Sequence, residues 1–114
     1  MTNRMPSVDE RNVSLLTDLY ELTMLRAYFE EGMRERAVFS LFARRLPERR
    51  NVLLACGLSD ALAYLERLRF SDDALAYLRS RDEFSDEFVD SLAGLRFTGD
   101  VYAVPEGTPV FANE

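Results

Sequence analysis

Leu15–Gly32 reads LLTDLYELTMLRAYFEEG, and the fold is decided first by how this stretch is read. Asp18 stands where a helix cap is expected, and Glu21, three residues on, is placed to reach back to it, the carboxylate version of a capping box. The spacing predicts a helix from Asp18 to about Glu31, stopped by Gly32. On a 3.6-residue wheel Leu19, Leu22, Leu25 and Phe29 form one apolar stripe, while Tyr20, Met24 and Ala27 form a second, roughly a third of a turn away. A helix with two such stripes is expected to be covered on two sides. From local sequence Tyr20 reads as a core or interface aromatic, and Asp18 as a cap.

Downstream, Ala37–Arg45 (AVFSLFARR) is aromatic and β-branched enough for a short strand, and Pro47 stops any continuation into helix. In Asn51–Phe70 (NVLLACGLSDALAYLERLRF) Leu54, Leu58, Leu62 and Leu65 recur at helical spacing and predict a core-facing stripe. Ser71, followed by Asp72 and Asp73, caps a next helix; Ser85, followed by Asp86 and Glu87, caps another, with acidic first turns that suit the helix dipole. The hexamer DALAYL occurs at Asp60–Leu65 and again at Asp73–Leu78. Two copies so close together are too short and too few for a solenoid, so the echo reflects shared helix-start chemistry. Thr98–Glu114 (TGDVYAVPEGTPVFANE) predicts a β-hairpin or strand corner, with Val101–Val104, a turn at Pro105–Gly107, and Val110–Phe111. The class is α+β, with a flexible lead-in over residues 1–12 and one domain over 13–114. A last strand that leaves an edge and an apolar face uncovered is expected of a segment from a larger protein.

The chain has 114 residues, 47% hydrophobic and 30% charged, the make-up of an ordinary globular domain. No apolar run approaches the roughly 18 residues needed to span a bilayer, so no membrane partner is expected. The polar, acid-containing start resembles neither a signal nor a transit peptide, and cytoplasmic location is the expectation. One cysteine, Cys56, allows no internal disulfide. With no histidine and no lysine, Ser-His-Asp, Cys-His, Schiff-base and P-loop chemistry are excluded, and no metal site is expected. The formal charge of −6 disfavours nucleic acid but leaves room for small phosphorylated ligands.

Arg44, Arg45, Arg49 and Arg50 lie at the end of the expected strand and around the turn after it. Converging guanidiniums bind phosphate bidentately; a solvated loop with ion pairs, for instance to Glu48, is the competing reading. Cys56 reads as a buried small apolar residue. The acidic pairs read as first-turn dipole partners, not metal ligands.

Five segments, LLTDLYELTM, FSLFARRLP, NVLLACGL, LRFSDDALAYL and LRFTGDVYAVPEGTPVFANE, resemble in this order the opening region of the nicotinate phosphoribosyltransferases. The resemblance covers about Val13 to Glu114, and TDLYELTM and FTGDVYAVPEGT are its most specific parts. It implies the α+β N-terminal domain of a type II phosphoribosyltransferase, lacking the α/β barrel. The family condenses nicotinate with phosphoribosyl pyrophosphate, giving nicotinate mononucleotide and pyrophosphate, driven by ATP hydrolysis with Mg2+, in NAD salvage. It implies a homodimer with active sites shared across subunits. Tyr20 would stack on the pyridine ring in the partner's site, Asp18 would cap its helix near the substrate, and Arg45, with Arg44 as its neighbouring competitor, would reach phosphate groups. The family's phosphorylated histidine lies downstream, so the resemblance places no catalytic residue and no bound cofactor in this segment, and the segment alone is expected to be inactive. The alternatives are a non-catalytic α+β interaction module, an inactive truncated product, or a chain completed by a separately encoded barrel.

Overall fold

A computed structural model describes Asp9 and residues 12–113. Apart from Asp9 and Asn12, the lead-in expected over residues 1–12 lies outside the described residues. The architecture is mixed α+β: a 3₁₀ turn at Val13–Leu15, α1 (Leu19–Glu30), β1 (Leu53–Leu54), α2 (Leu58–Arg67), α3 (Asp72–Arg79), α4 (Asp86–Ala93) and β2 (Pro109–Val110). The chain divides into two compact units, one holding the described residues up to Glu35 together with Leu68–Arg96, the other Arg36–Arg67 together with the residues from Phe97 on.

The first unit carries the core. Ser71 and Ser85 occupy extended N-cap conformations, and their hydroxyls accept from the N–H groups of Ala74 at 3.2 Å and Phe88 at 3.3 Å. Each satisfies a backbone donor that a helix start otherwise leaves unpaired. The two helices so started turn Leu75 and Leu78, and Phe88, Val89 and Leu92, into one cluster with Leu22 of α1 and Phe84. Phe29 tilts against Phe88 with ring centroids 5.8 Å apart. Complete burial of a large side chain such as Phe88 is worth about 1.5–3 kcal/mol, which makes this cluster the chief source of stability.

Only one of the two α1 stripes enters that core. Leu22 is buried and Leu25 partly so, whereas Tyr20, Met24 and Ala27 are exposed, so the helix is covered on one side and not two. The expected capping box is also absent. Asp18 has the backbone geometry of an N-cap but its side chain makes no cap bond, and Glu21 is engaged instead by the Thr17 hydroxyl.

In the second unit β1 pairs antiparallel with β2, Leu53 opposite Val110 and Leu54 opposite Pro109. The ladder continues past Leu54: Ala55 N–H donates to the Thr108 carbonyl at 2.9 Å, and Gly107 N–H to the Ala55 carbonyl at 2.8 Å. The pairing and burial in this unit correct four sequence expectations. The Pro105–Gly107 turn forms, with Thr108 N–H bonded to the Pro105 carbonyl, but residue 110 pairs with Leu53 and not with Val101–Val104, so there is no hairpin. Leu54 lies in a strand and is exposed, and no residue of α2 is buried, so the predicted leucine stripe does not face a core. Cys56 falls in the connection leaving β1 and is exposed, not a buried apolar residue. Ala37–Arg45, expected as a strand, belongs to no ladder among the described residues, because none of them supplies a neighbouring strand.

Candidate functional site

The sequence-predicted site residues fall in both units. Asp18 and Tyr20 belong to the first, Arg44 and Arg45 to the second. Tyr20 sits in the first turn of α1, 59% exposed, its carbonyl accepting from the Thr23 hydroxyl at 2.9 Å. The structure therefore overturns the core reading of this ring. Tyr20, Met24 and Tyr28 follow one another at four-residue steps and all are exposed, forming a solvent-facing row of apolar groups. A phenol fixed on a helix and open on its face can stack a flat aromatic ligand or pack in an interface. Asp18, exposed and making no cap bond, presents its carboxylate just before that ring.

Arg44 and Arg45 are exposed and stand not at the end of a strand but at a bend, at Arg44, that follows a segment paired in no ladder. Two local features position them. The carbonyl of Ala43 accepts from Asn113 N–H at 2.8 Å, which anchors the chain immediately before Arg44. Arg50 N–H closes a turn onto the Pro47 carbonyl at 3.1 Å, with Arg49 in the left-handed region at φ 65°. Among the described residues no ion pair to Glu48 forms, so the loop matches the solvated reading without its expected partner. Residues 36–50 contain five arginines and one carboxylate, a basic stretch in a chain of formal charge −6. Such guanidiniums are suited to phosphate oxygens in fork geometry.

Among the described residues no group of three or more His, Cys, Asp or Glu side chains could hold a metal ion. No helix of the described residues is long and apolar enough to cross a membrane. A cleft of about 250 Å³ in the first unit is lined by Leu25, Phe29, Met33, Phe88, Leu92 and Leu95 among others and does not include Tyr20. It is a mainly apolar gap between the end of α1 and α4, with Arg34 and Ser91 as polar members of its lining.

One positioning residue was not anticipated. The Glu106 carboxylate lies across the start of α2, accepting from Gly57 N–H at 3.0 Å and Ser59 N–H at 3.3 Å. A signal for it exists in the sequence: no Ser, Thr, Asp or Asn directly precedes Leu58, so the donors at this helix start need an acceptor from elsewhere. The turn PEGT supplies it.

The sequence model of the nicotinate phosphoribosyltransferase N-terminal domain matches residues 15–114. The chain is 54% identical over 101 residues to nicotinate phosphoribosyltransferase pncB2 of Mycobacterium tuberculosis, covering 89% of this chain and 22% of that protein. It is 41% identical over 104 residues to the nicotinate phosphoribosyltransferase of Bacillus subtilis, 90% of this chain and 21% of that one. Against nicotinate phosphoribosyltransferase 2 of Arabidopsis thaliana the identity is 36% over 100 residues, 85% and 18% of the two chains. The chain therefore spans about a fifth of the length of these curated relatives. The family match over residues 15–114 shows that the chain belongs to the nicotinate phosphoribosyltransferase N-terminal domain family.

Proposed function

We propose that this chain is the N-terminal part of a nicotinate phosphoribosyltransferase, acting in the cytoplasm within a homodimer that shares its active sites between subunits. The whole enzyme would join nicotinate to phosphoribosyl pyrophosphate, releasing pyrophosphate and forming nicotinate mononucleotide with ATP hydrolysis. The observation that carries the reading is Tyr20, solvent-facing on α1 and unused by its own core. Stacking on nicotinate would orient the ring nitrogen that attacks the ribosyl carbon, a positional contribution to rate. Arg45, with Arg44 beside it, would hold phosphate oxygens as negative charge gathers on the leaving pyrophosphate.

A hybrid tests this. Residues 15–114 replace the matched segment of the Mycobacterium tuberculosis relative, and nicotinate mononucleotide formation is assayed. The hybrid is expected to be active, and Tyr20→Ala to raise KM for nicotinate about tenfold or more, the magnitude of a lost aromatic stack. An active hybrid in which Tyr20→Ala changes neither KM nor kcat removes the stacking role. A folded but inactive hybrid would favour the interaction-module reading, which the exposed Val38, Phe39 and Leu41 also suit.

A further inference from the structure

Residues 109–113 hold the basic loop at both of its ends. Immediately after residues 44–52, Leu53 stands opposite Val110 and Leu54 opposite Pro109 in the ladder. Immediately before them, the Ala43 carbonyl accepts from Asn113 N–H at 2.8 Å. Arg44, Arg45, Arg49 and Arg50 therefore lie on a loop closed by one distant segment. All four are exposed, and among the described residues none is in an ion pair with a carboxylate. Two residues outside the glycines carry left-handed backbone among those described, and both serve this loop: Arg49, at φ 65°, within its turn, and Asn113, also at φ 65°, at its base.

The left-handed region is open to glycine, tolerated by asparagine and strongly disfavoured for a β-branched side chain. At the base of the loop the residue in that conformation is itself the donor of the tie, so its φ decides whether the bond to Ala43 forms. An untied loop samples many shapes, and a ligand that needs its guanidiniums together must bear the entropy of ordering it. We propose that Asn113 is a positioning residue for the phosphate-bearing substrate: its left-handed backbone closes the loop at Ala43 and orders Arg44 and Arg45 before phosphate arrives. Its side chain touches no reacting group in this account; what matters is that it permits the backbone geometry. The inference rests on the reading above in which these arginines hold phosphate oxygens.

The test uses the hybrid enzyme described above, with KM measured separately for each substrate. Asn113→Val is expected to raise KM for phosphoribosyl pyrophosphate about tenfold, the size of a left-handed backbone penalty, and to leave KM for nicotinate within about twofold. Asn113→Gly, which keeps the left-handed backbone accessible, should restore the wild-type KM, and Asn113→Ala should fall between the two. A loss of stability alone would lower the active fraction and kcat and move neither KM. Should Asn113→Val fail to fold, the Ala and Gly variants carry the comparison. With Arg45→Ala run alongside, the two ways of failing separate. If Arg45→Ala raises KM for phosphoribosyl pyrophosphate and Asn113→Val or Asn113→Ala does not, or if Asn113→Gly raises it as much as they do, the positioning role is overturned and the arginine reading stands. If Arg45→Ala and Arg44→Ala leave that KM unchanged, or the folded hybrid is inactive, the arginine reading falls and this inference with it.

Discussion

The Glu106 carboxylate accepts the Gly57 N–H through both of its oxygens, at 3.0 Å for Oε1 and 3.2 Å for Oε2. The bond spans 49 positions of sequence and places a negative charge at the positive end of α2. Gly57 itself adopts φ 109°, a conformation that an L side chain rarely enters, so the turn into α2 is set jointly by a glycine and a distant carboxylate.

Glu106→Ala is therefore expected to destabilise the chain by about 1 kcal/mol, as for other lost helix caps, and Glu106→Gln by less because one acceptor oxygen survives. Urea unfolding followed by circular dichroism measures this. Equal midpoints for wild type and Glu106→Ala would show that the contact contributes nothing.

The two DALAYL hexamers make an internal control. Both lie on helices, but Leu75 in the second copy is 6% exposed and Leu62, its counterpart in the first, is 38% exposed. Leu75→Ala is expected to cost about 2–5 kcal/mol and Leu62→Ala about 1 kcal/mol or less. Thermal melts of the two variants decide it, and similar losses at both sites would contradict the placement of the core.

That pair also shows what was legible in the sequence and what was not. Helix starts were legible where the cap is local, as at Ser71 and Ser85, because the hydroxyl and the donor it serves lie three residues apart. Burial was not. Identical hexamers predict identical stripes, and only the presence of α4 against α3 distinguishes them. The segment at 37–45 failed as a strand for a related reason: propensity describes a residue's fit to a ladder, but the ladder needs a second strand. Residue 110 found a non-local partner in Leu53, which no hairpin rule anticipates. Of the candidate site, Tyr20 could be singled out because it stood off the main stripe, while its exposure was decided by what α1 does and does not pack against.

Arg81 and Glu83 supply a pH signature. Arg81 Nη2 donates to Glu83 Oε1 at 2.8 Å, and this hydrogen bond, foremost among the causes, holds the Glu83 carboxyl below its ordinary 4.5 and raises the already high arginine. A depressed carboxylate contributes stability that is present above the unfolded value and fades as pH falls through the folded one. Both groups are exposed to solvent, so the effect is small. Melting temperatures of wild type and Glu83→Gln should differ at about pH 7 and converge as pH falls below the ordinary glutamate range. A gap that persists or widens in acid would reverse the assigned sign.

The two compact units alternate along the chain, the first interrupted by Arg36–Arg67 and resumed at Leu68. During synthesis, which generally folds domains in order of emergence, the first cluster cannot close until α4 has left the ribosome. Meanwhile Leu53–Leu54 must wait, its hydrogen-bonding edge open, for Pro109–Val110 to be made. A nascent chain arrested between these two points would hold one finished half and one half still lacking its mate, which makes that interval the natural window for a chaperone to bind.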